Sequence, residues 1–417
     1  MLTRFSSIKC NKIKYITNKL NCDYILLKIA LNTCSRNLSL VLLKMSLLFI
    51  SVFAIFAAVV SANSTETTGQ KEDTLVLLHV LFRHGNRTPD KMSIYPNDPH
   101  ITELYTPFGY SQLTIKGKQT EYGIGKYLRE TYGDFIPRQY TPDVVYAIST
   151  NFKRTKMSLE LVMASLFPPL PSELVMPTLE WQPIPFNIQP SQGFLGVAST
   201  YCASYINAYF KFLLSEEGQE IRAEYKNLYH GLSKNAGQSV KTPRDVAGIY
   251  FALKSEEDYG LNLPEWTEGL YPDIIEEAAS VDYEIATANP TLRKLSAGSL
   301  LKKIIQDSVS KQNGSLPEER KIFLYSAHEF NVATMLRTLN VFHRHVPPFG
   351  ATIFFEIHNI NGQYGLKLYY QDYTKDAPKL LTIPGCSSFC ELDQLYELME
   401  ENLPGEDDVC TPAGETM

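Results

Sequence analysis

The sequence lacks the features that mark several other classes of protein. Its 417 residues contain no long low-complexity run and no internal repeat, and 44% of them are hydrophobic. This composition excludes a disordered chain and predicts a globular one. A chain of this length exceeds the usual size of a single hydrophobic core, so we expect a large domain and a smaller one.

Beyond residue 62 the sequence also lacks an excess of positive charge. The whole chain has a formal net charge of -6, but residues 1–62 contain eight of the 39 Lys and Arg residues and only one acid, Asp23. The remainder therefore has 31 basic and 44 acidic residues, a net charge of -13. So acidic a protein should not bind nucleic acid or anionic lipid through its general surface field. Any phosphate site must depend on locally clustered arginines.

An uncharged segment, residues 45–62 (MSLLFISVFAIFAAVVSA), lies near the N-terminus and ends in small residues that suit a signal peptidase. We expect cleavage after Ala62, so residues 1–62 are an N-terminal extension plus signal peptide, and the mature protein is secreted with no stable membrane span. The alternative is an uncleaved signal anchor, because the segment is near the lower length limit for a bilayer span. Met45 is an alternative start to Met1.

Cysteine is sparse, and its distribution follows the same boundary. Three of the seven precede the cleavage site and four follow it. An even number in a secreted chain predicts two disulfides, for which three pairings are open. A metal site is not expected, because the Cys-x3-Cys segment has no second pair or histidine cluster. The four cysteines that remain are Cys202, Cys386, Cys390 and Cys410.

Three Asn-x-Ser/Thr sequons lie beyond residue 62. Asn63 and Asn313 stand in polar surroundings and are expected to be glycosylated. Asn86 is expected to be buried in the functional site and unmodified.

Apolar runs alternate with helical patterns over most of the chain. Runs at residues 74–82, 143–149, 321–326, 351–358 and 364–371 predict strands, the last two forming a hairpin around Asn361-Gly362. Residues 186–294 have helical segments but no convincing buried strand, and a helix start at Thr242-Pro243. We therefore expect a discontinuous α/β domain, residues 73–185 and 295–410, with a helical cap at residues 186–294.

Basic side chains follow three of these strands directly. In open α/β sheets, ligands bind in the crevice beyond the carboxyl ends of the strands. Helix N-termini, which favour anions, should surround the same point. This arrangement predicts one shared site for six residues: Arg83, His84, Arg87, Arg154, His328 and Glu329.

These residue types suit phosphoryl transfer. Three arginines with no acid to compensate them repel one another unless an anion lies between them, and phosphate fits their paired hydrogen bonds best. A histidine flanked by arginines is a candidate nucleophile, because positive charge favours its neutral form. Glu329 could protonate the departing alcohol, which requires a protonated carboxyl and predicts activity at acid pH.

The run RHGNRTP resembles the signature of the histidine acid phosphatases, the branch that includes prostatic, lysosomal and insect venom acid phosphatases and phytases. Further stretches are similar to the animal enzymes, among them ISTNFKRTKMSLELVMASLFPP, LYSAHEFNVATMLRTL and PGCSSFC, so the resemblance covers residues 74–410. It implies that His84 forms a phosphohistidine and that the phosphate is bound by Arg83, Arg87, Arg154 and His328.

The resemblance implies several further properties. The fold would be α/β, with a mixed, largely parallel sheet flanked by helices as in phosphoglycerate mutase and an inserted, smaller helical cap. Small phosphomonoesters would be the substrates, without a metal or organic cofactor. Disulfides would join Cys202 to Cys410 and Cys386 to Cys390. Animal relatives are often dimers, which suggests a homodimer, and they are extracellular or occupy the lysosomal lumen.

One position departs from the family pattern. The second motif usually reads His-Asp, with Asp as the proton donor, and here it reads His328-Glu329. Glu has the same acid group on a longer arm, and a misplaced catalytic group can cost about a hundredfold in rate. The alternative to an active phosphatase is therefore a catalytically weakened relative that binds phosphate esters. A mutase-like transferase shares the Arg-His-Gly core, but Arg87 and the signal segment weigh against it.

Overall fold

The computed structural model describes residues 74–190, 193–195, 202–406, 408 and 410, all of them within one of the chain's two units, Thr74–Met417. The predicted N-terminal extension and signal peptide, residues 1–62, and the sequon at Asn63 lie outside the described residues. Among the described residues, no helix is both long enough and apolar enough to cross a membrane.

A mixed eight-stranded sheet lies at the centre of the described residues, in the order β3-β2-β4-β1-β5-β6-β7, with β8 paired to β6. The first four strands in this order, β3, β2, β4 and β1, run parallel to one another. β5 is antiparallel to β1, and β6 is antiparallel to β5, β7 and β8. The predicted α/β class with a mixed sheet is thereby confirmed. The strands are β1 (Leu75–Arg83), β2 (Val145–Ser149), β3 (Asn187–Ile188), β4 (Ile322–Ala327), β5 (Thr352–Ile360), β6 (Gln363–Gln371), β7 (Lys379–Leu381) and β8 (Cys390–Glu391).

Helices separate many of these strands along the described chain, and one follows the last strand. Two short 3₁₀ turns, Glu265–Thr267 and Glu400–Asn402, and a π turn, Lys294–Gly298, complete the elements. The α-helices are α1 (Ile115–Thr131), α2 (Lys153–Leu166), α3 (Ala203–Leu213), α4 (Glu216–Glu224), α5 (Lys226–Ala236), α6 (Pro243–Tyr259), α7 (Asp273–Ile285), α8 (Pro290–Arg293), α9 (Ser299–Gln312), α10 (Glu329–Thr338) and α11 (Leu392–Met399).

The sequence of β1, LVLLHVLFR, shows how the sheet is covered on both faces. Successive side chains of a strand point to opposite faces. Leu77 and Leu81 pack with α9, α10 and α11, whereas Leu78, Val80 and Phe82 pack with α1 and α2. Each fully buried side chain of this kind contributes about 1.5–3 kcal/mol of hydrophobic stabilisation. A nearly continuous apolar run is therefore what this central strand requires.

Local signals place several element ends correctly. Thr114 caps α1 by accepting a hydrogen bond from the backbone N–H of Gly117. Thr242 and Asp245 form a capping box at the start of α6, as the sequence predicts. The hairpin turn at Asn361-Gly362 has positive φ values of 54° and 90°. The sequence is amphipathic from Leu295 to Val309, but α9 begins only at Ser299, because a π turn precedes it.

The section between β3 and α9 is mostly helical. Helices α3 to α8 share a hydrophobic cluster, which Phe330 and Ala333 of α10 also join. The two-residue strand β3 is exposed and extends the edge of the sheet within the section expected to have no buried strand. That residues 186–294 form a separate cap domain stays a prediction.

The described residues contain two disulfides, Cys202–Cys410 and Cys386–Cys390. They are the two pairs that the resemblance implies. The first joins the start of α3 to the end of the described chain, across 208 residues of sequence.

Candidate active site

Strand pairing brings the two predicted histidines together. β1 and β4 are parallel neighbours in which Arg83 pairs with Ala327, and His84 and His328 are the next residues along each strand. The backbone N–H of His84 donates to the carbonyl of Ala327 at 3.0 Å. As a result, the two imidazole rings meet edge to face with centroids 5.5 Å apart.

The third strand exit adds Arg154 to the same place. β2 pairs with the other edge of β4, with Ser149 opposite Ser326, so the chain leaves β2 beside His328. Thr150 Oγ1 lies 2.9 Å from Nε2 of His328. Arg154 lies in the first turn of α2, and its charge and that of Arg83 both act on His84. The structure thus brings together all six residues predicted to share a site.

A hydrogen bond fixes which nitrogen of His84 is free. Nδ1 lies 2.9 Å from the carbonyl oxygen of Gly85. A carbonyl oxygen only accepts hydrogen bonds, so Nδ1 carries the proton and Nε2 keeps its lone pair. This tautomer is the one that a nucleophilic Nε2 requires.

Both histidines are held in the neutral form. His84 is 1% exposed and His328 is 4% exposed. Burial and then the charges of Arg154 and Arg83 lower the pKa of His84 well below its usual value. Burial and Arg154 likewise lower the pKa of His328. The prediction of a neutral nucleophile at His84 is therefore supported. Burial lowers its pKa more than the neighbouring arginines do, although the sequence indicated only the arginines.

The three arginines are fixed from behind and keep donors for a ligand. Arg83 Nη1 donates to the carbonyl of Pro347 at 2.6 Å, and its guanidinium stacks on Phe349. Arg87 Nη1 donates to the carbonyl of Thr88 at 2.9 Å. Among the described residues, none accepts a hydrogen bond from the buried Nε–H of Arg83, Arg87 or Arg154. Buried donors without an acceptor are costly, so an anion between the arginines would satisfy them.

Asp90 corrects the expectation that no acid compensates the arginines. Its carboxylate lies 2.8 Å from Nη2 of Arg87 and 3.6 Å from Nη1 of Arg154, and it accepts a hydrogen bond from Ser111. Burial alone would raise the pKa of Asp90, but Arg87 and Arg154 outweigh it and lower the pKa to about 2. Asp90 is therefore ionised at acid pH and cannot serve as a proton donor there.

Glu329 begins α10 and faces an open cavity of about 740 Å³. Its Oε2 lies 3.5 Å from Nε of Arg83, and 19% of its side chain is exposed. The cavity is also lined by Asp90, Arg154 and His328, so it lies beside one of the three arginines and the second histidine. A phosphate ester bound among the arginines would thus have room for its leaving group beside Glu329.

The same residues offer a poor site for a cation. Ligand atoms of His84, His328 and Glu329 all lie within 4.8 Å of one another. Arg83 and Arg154 surround them, however, and cationic neighbours oppose a bound metal ion. The donor set suits an oxyanion, and the absence of a cofactor stays a prediction.

The two remaining sequons differ in exposure. Asn86 is 6% exposed, and its Nδ2 donates to Asp258 Oδ2 at 2.7 Å, so it has no room for a glycan. Asn313 is exposed at the end of α9.

Comparison with known proteins identifies the family. A venom acid phosphatase of Apis mellifera is 34% identical over 361 residues, which cover 86% of this chain and 91% of that protein. The human prostatic acid phosphatase is 31% identical over 339 residues, covering 79% of this chain and 86% of that protein. The chain belongs to the histidine acid phosphatase family. The model of the histidine phosphatase superfamily (branch 2) matches residues 74–241 of this acid phosphatase family member.

Solved structures show the same fold. A phytase of Hafnia alvei in complex with myo-inositol hexakis sulphate superimposes with a TM-score of 0.59. The alignment covers 81% of this chain and 99% of that one, at 16% identity. At that identity the likeness establishes the fold of this acid phosphatase family member alone.

Several functional contacts carry no recognisable sequence signal. Asp90 follows the RHGNRTP run, but an acid at that place has no distinguishing pattern. Pro347 and Phe349, which fix Arg83, are 264 and 266 residues away from it in the chain. Thr150 is adjacent to a predicted strand exit, and only its contact with His328 singles it out.

Proposed function

We propose that this family member hydrolyses phosphate monoesters through a phosphohistidine on His84. The observation that carries the proposal is the neutral, Nε2-free imidazole of His84 among three arginines whose buried Nε–H groups donate no hydrogen bond to the described residues, although Glu329 lies 3.5 Å from that of Arg83. Preorganised donors at the place where charge develops are the main source of catalysis in phosphoryl transfer.

In the first step, the Nε2 lone pair of His84 attacks phosphorus while the bond between phosphorus and the ester oxygen breaks. Arg83, Arg87, Arg154 and His328 hold the phosphoryl oxygens, and the His328 ring lies edge to face with that of His84. The departing oxygen takes a proton from the carboxyl group of Glu329. In the second step, water attacks phosphorus, the bond to Nε2 breaks, and the water proton returns to Glu329.

The proposal is tested by hydrolysis of phenyl phosphate and glycerol phosphate at acid pH. His84→Ala should abolish turnover of both esters. Glu329→Gln should lower turnover of the alkyl ester by at least about a hundredfold and that of the aryl ester much less, because a phenolate leaves without a proton. Glu319→Gln, which removes an exposed carboxyl group elsewhere, is the control. Equal losses on both esters would rule out Glu329 as the proton donor.

The alternative is a weakened relative that binds phosphate esters. The contact between Glu329 and Arg83 favours it, since the carboxyl group shares an arginine with the phosphate site. Glu329→Asp distinguishes the two. A tenfold or greater gain in the turnover of the alkyl ester would show that the native acid is poorly placed. A small displacement of a catalytic carboxyl group costs roughly that much in rate.

We also propose secretion, with small phosphomonoesters as the partners in solution. The signal segment at residues 45–62 and the two disulfides support it. The N-terminal residue of protein recovered from the medium should be Asn63. Recovery of uncleaved protein in a membrane fraction would favour the signal anchor.

A further inference from the structure

Helix α6 connects the arginine cluster to the open cavity. Its C-terminal half contacts the RHGNRTP loop: the ring of Phe251 lies 5.6 Å from Cζ of Arg83, and Ser255 Oγ lies 3.4 Å from Nη1 of Arg87. The same helix lines the cavity through Phe251 and, nearer its N-terminus, through Arg244, Ala247 and Gly248. These residues lie three or four positions apart, so they form one stripe on one face of the helix.

This stripe sets a fixed distance between its two ends. Phe251 lies at the phosphate end, and Arg244 is seven residues earlier, two helical turns or roughly 10 Å farther along the helix. A leaving group that extends from Arg83 along α6 therefore passes Gly248 before it reaches Arg244.

Gly248 leaves that path open. A Cβ added at this position would meet no heavy atom within 4 Å. Glycine inside a helix is less favourable than alanine, and here no close neighbour or positive φ requires it. Phe152, Phe251 and Phe330 line the same cavity. An unobstructed helix surface at Gly248, in a cavity that also has aromatic side chains, suits a flat, apolar group.

Arg244 is held in place and still has a donor to offer. Its Nε lies 3.3 Å from Oδ2 of Asp282, and its guanidinium stacks 3.9 Å from the ring of Tyr209. Its side chain lines the cavity and is 34% exposed, so part of it is open to a ligand. Because the side chain is already fixed, a ligand that binds it loses little further conformational freedom.

The charges around the cavity favour one more anion beyond the phosphate. With Glu329 protonated, as the proposed proton transfer requires, the basic residues outnumber the ionised acids by four, and a bound phosphate dianion leaves two positive charges uncompensated. The basic residues are Arg83, Arg87, Lys91, Lys153, Arg154 and Arg244, and the acids are Asp90, Asp282 and Glu329.

We infer that the α6 stripe is the leaving-group subsite, and that it selects phosphomonoesters with a flat apolar body and a second anionic group roughly 10 Å from the phosphate, bound by Arg244. This inference rests on the proposed phosphatase function. It defines the substrate class by the shape and charge of the leaving group.

The test compares two aryl esters with similar leaving oxygens: the phosphate ester of para-hydroxyphenylpropanoate, which has a distal carboxylate, and that of para-propylphenol, which does not. The wild-type protein should prefer the carboxylate ester roughly tenfold in kcat/KM, as expected for one charge-assisted contact. Arg244→Gln should remove the preference while the rate on the propyl ester stays within about twofold. Lys241→Gln, which removes an exposed cation just before α6, should leave it intact.

A second variant separates the subsite from the phosphate site. Gly248→Leu should raise KM for both esters, because its side chain occupies the path of the leaving group. It should leave inhibition by inorganic phosphate unchanged, because phosphate has no leaving group. Equal effects on esters and on inorganic phosphate would overturn the inference, as would equal wild-type rates on the two esters. Hydrolysis of both esters at equal rates would leave the phosphatase function standing, whereas hydrolysis of neither would refute that function as well.

Discussion

The close contact between Gly117 and the RHGNRTP loop gives the sharpest structural prediction. A Cβ on Gly117 would lie 2.0 Å from the carbonyl oxygen of Asn86, whereas ordinary contacts begin at 3.4 Å. Backbone on both sides must therefore separate by about 1 Å or more in Gly117→Ala, and a displacement of that size costs roughly a hundredfold in rate. The loss should appear in kcat, because Gly85, whose carbonyl orients His84, belongs to the displaced loop.

A control exists on the same helix. A Cβ at Gly123 of α1 would meet nothing within 4 Å. Gly123→Ala should therefore keep full kcat and gain about 0.5–1 kcal/mol of stability, whereas Gly117→Ala should lose about 1–3 kcal/mol through overpacking. The assay is kcat on phenyl phosphate at saturation, with thermal unfolding to show that each variant is folded. A folded Gly117→Ala protein with kcat within twofold of wild type would refute the reasoning.

Two further predictions concern acidic side chains. Asp90→Asn removes the carboxylate that lies against Arg87 and Arg154, so inorganic phosphate should inhibit about tenfold more tightly. Weaker inhibition would instead show that Asp90 holds the arginines in place. Burial, followed by the interactions with Asp98, raises the pKa of Glu256 in the folded protein. The contribution of Glu256 to the free energy of unfolding is therefore complete below its pKa in the unfolded chain, and it is lost as the pH rises through its pKa in the folded protein. Between about pH 5 and about pH 8, the Tm of wild type should therefore fall more than that of Glu256→Gln, and parallel curves would contradict this.

The sheet could be predicted from the sequence because its signals are local. The apolar run of β1 is long enough to need burial on both faces, and the turn at Asn361-Gly362 has residues that tolerate positive φ. The start of α6 was equally readable from Thr242 and Asp245. The late start of α9 was not, because the π turn at Lys294–Gly298 has no pattern of its own.

The site was predictable where its residues follow strands and was not where they come from distant loops. His84 and His328 follow paired strands, so sheet topology alone brings them together. Phe349, which stacks on Arg83, lies in a loop after α10 whose path depends on tertiary packing. The same holds for Arg244, because its place in the cavity depends on how α6 packs against the loop at Arg87.

The most direct test of the phosphohistidine mechanism is to stop the reaction during turnover of phenyl phosphate and locate the phosphoryl group on the protein. Quenching in denaturing alkali preserves a phosphohistidine for peptide mass analysis. The mechanism predicts one phosphoryl group on the peptide that contains His84, and none in His84→Ala. Turnover without that labelled peptide, or a label on a different residue, would contradict it.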